Sequence, residues 1–246
     1  MDRMLYIGMS GAKETLLAQA LNNHNLANVS TTGFRADLSQ ARSMPVFGPG
    51  LPSRAYALSE RPGIDFTPGP IQTTGRDLDV AIRGRGFIAV QAPDGSEAYT
   101  RAGDLAISPE GLLVTGTGLP VLGEGGPITV PPAQSLSIGS DGTVSIIPLG
   151  QAANTQAAVD RIKLVNPPLE ELEKGEDGLF RGPGGATYPA DAAVTLVSGA
   201  LEGSNVSPAQ ALVRMIELSR QFELQVKAMK TAQENDEATA RLLRIG

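Results

Sequence analysis

Apolar residues recur with helical spacing only near the two ends of the chain. From Leu5 to Leu26, alternating steps of four and three visit Leu5, Met9, Ala12, Leu16, Gln19, Asn23 and Leu26, five of the seven apolar, which predicts an amphipathic helix. The pattern stops at Asn28-Val29-Ser30-Thr31-Thr32-Gly33, where β-branched and turn-forming residues replace helix formers. A second stripe, Leu212, Met215, Ser219, Phe222, Val226 and Met229, follows Ser207-Pro208-Ala209-Gln210. That tetrapeptide is a strong helix start: Ser can cap free N–H groups, Pro suits the first helical position, and Gln can complete a capping box. No Gly or Pro interrupts until Gly246, so one helix is expected over about 208–244, roughly 55 Å long at 1.5 Å per residue. A domain of this size does not need such a helix for itself, which points to a partner outside it.

The middle of the chain reads differently. Pro45, Pro49, Pro52, Pro62, Pro68 and Pro70, interleaved with five glycines between Gly48 and Gly75, exclude a regular helix and limit ladder pairing, so 36–75 is expected to be an extended arm. Period-two apolar patterns then begin at 78–82 and recur at 87–90, 112–114, 127–130, 136–138 and 143–146, with further strands at 161–165 and 194–197 and a Gly/Pro-rich loop near 181–185. The turn pairs Asp94-Gly95, Glu110-Gly111, Gly125-Gly126 and Asp141-Gly142 lie 16, 15 and 16 residues apart, the spacing of successive hairpins. The expected architecture is α+β: a β-rich central domain, a meander or small open barrel, with long amphipathic N- and C-terminal helices packing as a coiled coil in an assembly. The segments are 1–35 (first helix and motif), 36–75 (arm), 76–202 (β domain) and 203–246 (last helix).

Composition narrows what such a chain can do. With 4% aromatics and no Trp among 246 residues, the core must be aliphatic. The absence of Cys removes thiolate chemistry and sulfur ligands, and a metal site or triad built on imidazole would rest on His24 alone. No cofactor is expected. Net charge is −6, with +1 on residues 1–43, −8 on 44–202 and +1 on 203–246, so there is no basic face for nucleic acid. No run of apolar residues is long enough for a membrane span, and the N-terminal sequence lacks the basic and apolar regions of a cleavable signal peptide. The best enzyme candidate is the pair Asp77 and Asp79 near Arg76 and Arg83. Alternation places both carboxylates on one strand face, where they could hold a cation, but solvated polar residues of a half-buried strand have the same pattern. Gly84-x-Gly86 lacks the third glycine of a dinucleotide loop and reads as a turn.

Three segments carry a resemblance. The run Asn25-Leu26-Ala27-Asn28-Val29-Ser30-Thr31-Thr32-Gly33-Phe34-Arg35 is similar to the N-terminal motif of the rod, hook and hook-associated proteins of the bacterial flagellum. The runs Leu78-Asp79-Val80-Ala81-Ile82, Gly84-Arg85-Gly86-Phe87 and Ala98-Tyr99-Thr100-Arg101-Ala102-Gly103 resemble that family's β-domain signature, and Leu201-Glu202-Gly203-Ser204-Asn205-Val206 its C-terminal motif. The segments 1–6, 123–131 and 177–181 look most like proximal-rod members, with distal-rod members close behind.

The resemblance implies a structural, non-enzymatic subunit of the basal-body rod in the periplasmic space. Its partners would be other copies of itself, neighbouring rod proteins and the flagellar type III export apparatus, with export requiring no cleaved signal. The residues expected at the assembly interface are Leu5, Met9, Leu16, Leu26, Leu212, Met215, Phe222, Val226 and Met229 from the two stripes, and Asn28, Phe34 and Asn205 from the motifs. A soluble monomeric adaptor with the same elements is the alternative from a different class.

Overall fold

The computed structural model describes residues 4–45, 55–151 and 155–245. They form two compact units, one comprising 4–29, 36–45, 55–65 and 206–245, the other 30–35, 66–151 and 155–205.

The first unit holds α1 (Met4–Ala27), the strands β1 (Asp37–Pro45) and β2 (Ala55–Ile64), and α2 (Pro208–Ile245). Both helices fall where periodicity predicts them. At the start of α2 the Ser207 carbonyl accepts from the Ala211 N–H at 3.0 Å, and its hydroxyl faces the Gln210 N–H at 3.5 Å. The expected arm over 36–75 is instead largely an antiparallel hairpin, with Asp37 opposite Ile64 and Pro45 opposite Ala55. Its prolines are tolerated because each strand of a two-stranded sheet has a free edge. Pro45 ends β1, and Pro62 falls where the register slips between Leu38 and Gln40. Pro49 and Pro52 lie outside the described residues.

The second unit contains the remaining strands: β3 (Ile71–Thr73), β4 (Val80–Arg83), β5 (Phe87–Gln91), β6 (Glu97–Thr100), β7 (Leu105–Ile107), β8 (Leu113–Thr115), β9 (Ala133–Ile138), β10 (Thr143–Pro148), β11 (Ala157–Arg161), β12 (Leu164–Val165), β13 (Glu173–Lys174), β14 (Phe180–Arg181), β15 (Thr195–Ser198) and β16 (Ala200–Glu202). The turn pairs do their predicted work. Gly95, Gly111, Gly126 and Gly142 all have positive φ, and three of them close the β5–β6, β7–β8 and β9–β10 hairpins. The Asp94 and Asp141 carboxylates cap their turns by accepting from Ser96 N–H at 2.9 Å and Thr143 N–H at 3.1 Å. The Ser96 and Thr143 hydroxyls, donating to the same carboxylates at 2.6 and 2.7 Å, and then these backbone bonds hold both carboxyls below the usual aspartate range.

The expected meander is only local. It is seen in β9–β10–β11, whereas the five-stranded sheet runs β12-β5-β6-β14-β13 and recruits strands from late in the chain. No closed barrel forms among the described residues. Residues 127–130 make isolated bridges rather than a strand, and 161–165 divides between β11 and β12. The core is aliphatic as composition requires, gathering Val80, Ile82, Ile88, Val90, Leu105, Leu113, Val121, Ile128, Val144, Ile162 and Leu164. Phe66, Phe87 and Phe180 cluster with ring centroids 5.2–6.4 Å apart.

Candidate functional site

The two helices pack antiparallel, and small residues set how closely. A Cβ on Gly8 would lie 2.7 Å from Met229 Cγ, and one on Gly11 2.9 Å from Gln225 Nε2. Near the other end of α1 the Asn22 side chain donates to the Ala211 carbonyl at 2.9 Å. The buried face of α1 is therefore Gly8, Ala12 and Thr15, matched on α2 by Ala211, Leu218 and Ala232. Thr15 satisfies its hydroxyl on the Gly11 carbonyl, 2.8 Å away.

This arrangement turns much of the predicted stripe outward. Leu5, Met9, Leu16, Leu212 and Val226 are 37–54% exposed. Leu26, Met215, Phe222 and Met229 are half-buried. Tyr6, Leu17, Val213, Ile216 and Leu224 are exposed as well, though the stripes omit them. The outward surface of the pair thus carries large apolar side chains from both helices, while α1 gives only small ones to their mutual contact.

The motif residues have structural roles that the stripes do not reveal. Asn25 clamps the start of β1, donating to the Asp37 carbonyl at 2.9 Å and accepting from its N–H at 3.0 Å. Asn28, half-buried, finishes α1 by donating from its side chain to the His24 carbonyl at 2.9 Å. His24 itself lies 3.1 Å from an Asp37 carboxylate oxygen. In the second unit Phe34 is buried, with Lys174 Nζ 4.0 Å from its ring centroid. Asn205 is half-buried, and its N–H donates to the Phe34 carbonyl at 3.3 Å.

One residue from each of the three motifs meets in a cluster that sequence reasoning missed. Arg35, Arg101 and Glu202 are 1%, 5% and 1% exposed. Arg35 Nη2 donates to Glu202 Oε1 at 2.5 Å, and Arg101 Nε to Glu202 Oε2 at 2.7 Å. The rest of the Arg101 fork donates to the carbonyls of Gly84 and Gly86, both at 2.9 Å. Gly69 N–H is a further donor to Glu202 Oε1, at 3.0 Å. Burial pulls the Arg101 pKa below its ordinary value, opposed by the Glu202 carboxylate. The signal available in the sequence was a charge in each motif, two positive and one negative.

The enzyme candidate does not assemble. Asp77 is exposed, whereas Asp79 is buried and accepts from Arg76 Nε at 2.7 Å, so the two carboxylates share no face and Asp79 is not a solvated strand residue. Its neighbour across an isolated bridge is Asp104, whose carboxyl is pushed up by burial and then by the Asp79 charge. Among the described residues no group of three or more His, Asp or Glu could hold a metal ion, and no helix is long and apolar enough to cross a membrane.

Comparison with known proteins adds a second line of observation. The profile of the flagellar hook protein FlgE/F/G D1 domain matches residues 81–146, and that of the flagellar basal body rod FlgEFG protein C-terminal region matches 197–242. The chain is 44% identical to the flagellar basal-body rod protein FlgF of Salmonella typhimurium over 99% of both chains. It is 37% identical to FlgF of Caulobacter vibrioides over the full length of both. It is also 35% identical to the flagellar basal-body rod protein FlgG of Bacillus subtilis, covering 95% of this chain and 96% of that one.

Proposed function

The chain belongs to the family of flagellar basal-body rod proteins, structural subunits of the bacterial flagellum, and from that membership we propose that it builds the rod by self-assembly through its terminal helices and catalyses no reaction. The observation carrying this reading is the outward apolar surface of the helix pair: Leu5, Tyr6, Met9, Leu16 and Leu17 on α1, and Leu212, Val213, Ile216, Leu224 and Val226 on α2. Each is roughly half exposed, so packing against a neighbour recovers about 1 kcal/mol per side chain, on the order of 10 kcal/mol for the set. That is comparable to the roughly 4–15 kcal/mol cost of immobilising a partner, and contacts with several neighbours add further burial.

A repeated head-to-tail contact between identical subunits generates an open helical filament, the geometry a hollow periplasm-spanning shaft requires. In this reading Leu5, Met9, Leu16, Leu212 and Val226 contact neighbouring subunits directly. Leu26, Met215, Phe222 and Met229 contribute the parts left open by the helix pair, and Asn28, Phe34 and Asn205 hold the segments that lead into the helices. The 44% identity to FlgF of Salmonella typhimurium, against 35% to FlgG of Bacillus subtilis, favours the proximal over the distal rod. Neighbouring rod proteins and the flagellar type III export apparatus are the partners this role requires, with no cleaved signal.

The test is Ile216→Asp together with Leu16→Asp in flagellated cells whose own copy of this gene is deleted. Both side chains already face solvent, so the purified variant keeps its β unit intact, while rods are incomplete and cells do not swim. Full motility with the doubly charged surface would refute the assembly role. A monomer with wild-type hydrodynamic size at every concentration, found together with that motility, would favour the adaptor.

A further inference from the structure

Glu202 gathers the segments of the β unit that lie nearest the chain's passages between the two units. The chain passes from one unit to the other after residues 29, 35, 65 and 205. The adjoining stretches are 30–35, 66–70 and 203–205. Gly33 N–H donates to the Glu202 carbonyl at 2.7 Å, Gly203 N–H to the Pro70 carbonyl at 2.8 Å, and Asn205 N–H to the Phe34 carbonyl at 3.3 Å. Asn205 Nδ2 reaches the Thr67 carbonyl at 3.2 Å. The Glu202 carboxylate divides its two oxygens: Oε1 takes Arg35 and Gly69, and Oε2 takes Arg101. Arg101 in turn binds the carbonyls of Gly84 and Gly86, flanking the junction of β4 and β5 in the core.

We propose that Glu202 is a clasp: it fastens these three straps to one another and, through Arg101, to the β core, so that the straps open together and separately from the core. The chemistry is specific to a carboxylate. Every group facing Glu202 Oε1 and Oε2 is a donor, and only an acceptor at both positions satisfies them. An amide accepts at one oxygen and turns an N–H₂ toward the other donor set, leaving a buried guanidinium facing a donor. Close packing holds the straps in place as well, since a Cβ on Gly33 would lie 2.3 Å from the Arg101 carbonyl carbon and one on Gly69 2.0 Å from the Gly203 oxygen. The straps therefore cannot shift gradually and must release as a set.

The experiment is residue-resolved hydrogen exchange on the full-length chain, comparing the native protein with Glu202→Gln and Arg35→Met. Arg35→Met removes only the strap-side partner and leaves the Arg101–Glu202 pair intact. The expected result is at least tenfold faster exchange at Gly33, Gly69 and Asn205 together in both variants, with Leu105, Leu113 and Ile128 in the core unchanged. If Glu202→Gln also exposes the core, strap-only acceleration in Arg35→Met still upholds the clasp. Unaltered exchange at Gly33 and Asn205 in both variants, acceleration at only one strap, or loss of core protection in Arg35→Met overturns it.

Discussion

Gly103, the last residue of the Ala98–Gly103 motif, is the most crowded glycine of the β unit, and adding one methyl group there measures how tightly the motif is built. A Cβ at this position would stand 1.7 Å from the Val80 carbonyl oxygen and 3.1 Å from Val80 Cγ2. Real carbon–oxygen contacts need about 3.2 Å, so Gly103→Ala requires a backbone shift of roughly 1.5 Å, which a close-packed interior resists. That shift breaks the bond from Val80 N–H to the Gly103 carbonyl, now 2.9 Å, and strains the one from Leu105 N–H at 3.0 Å. Overpacking costs about 1–3 kcal/mol and one or two lost backbone bonds about 0.5–1.5 kcal/mol each. The β unit should therefore lose roughly 2–5 kcal/mol. Urea titration of the full chain, read from the exchange of β4 and β5 amides so that the helices do not contribute, should show a lower midpoint with little change in slope. A stability change below about 0.5 kcal/mol would show that the Val80–Gly103 approach yields easily and would refute the packing argument.

Three further expectations follow from the carboxylates. Because burial and Asp79 push the Asp104 carboxyl above 3.8, the folded state binds that proton more tightly than the unfolded chain does. β-unit stability from this group is therefore greatest below 3.8 and falls as pH rises through its raised value; Asp104→Asn should flatten that fall and stabilise the unit at pH 7 in thermal melts. Asp79→Asn should weaken the tie to Arg76 and bring the Asp104 carboxyl back toward its ordinary range in an NMR titration, whereas Asp77→Asn, at an exposed turn, should change neither. Asp177 lies below the usual range because Arg181 binds it and Leu179 N–H donates to it, so its contribution is present above 3.8 and lost as pH falls through its lowered value; Asp177→Asn should remove that acid-side dependence of β14 exchange.

What the sequence revealed and what it concealed divide along physical lines. Both helices were legible because a 3.6-residue period needs no partner to be seen, and the Ser207-Pro208 start is a local signal. The hairpin turns were legible because Gly95, Gly111 and Gly142 meet a conformational demand that other residues satisfy poorly. The β1–β2 hairpin was not, since its strands lack an apolar alternation and its prolines argue against pairing. Sheet order was hidden as well, because β12, β13 and β14 are two-residue pairings fixed by tertiary contacts. The helix faces were half legible. Periodicity identifies where large apolar residues align, but Gly8, Ala12 and Thr15 make the closer contact, leaving Leu5, Met9 and Leu16 outside. The buried cluster was concealed most completely, because Arg35, Arg101 and Glu202 each look like ordinary surface charges until the three motifs are brought together.

The inward placement of small residues bears directly on the proposed assembly. Had Leu5, Leu16, Leu212 and Val226 formed the α1–α2 contact, the pair would have been satisfied within one chain and its outer surface polar. Instead the pair gains close backbone approach from Gly8 and Gly11 and leaves its larger apolar groups unspent. The helices are also unequal, α1 having 24 residues and α2 38, or roughly 36 and 57 Å. With Met229 opposite Gly8, α2 continues past the start of α1, and after Ala232 its described side chains through Arg241 are exposed apart from half-buried Asp236. An overhang at one end and apolar flanks along the sides are two distinct surfaces. A subunit that only dimerised would need one of them, whereas a subunit stacked along and around a shaft has a use for both: the overhang meets the copy ahead, and the flanks meet the copies beside it.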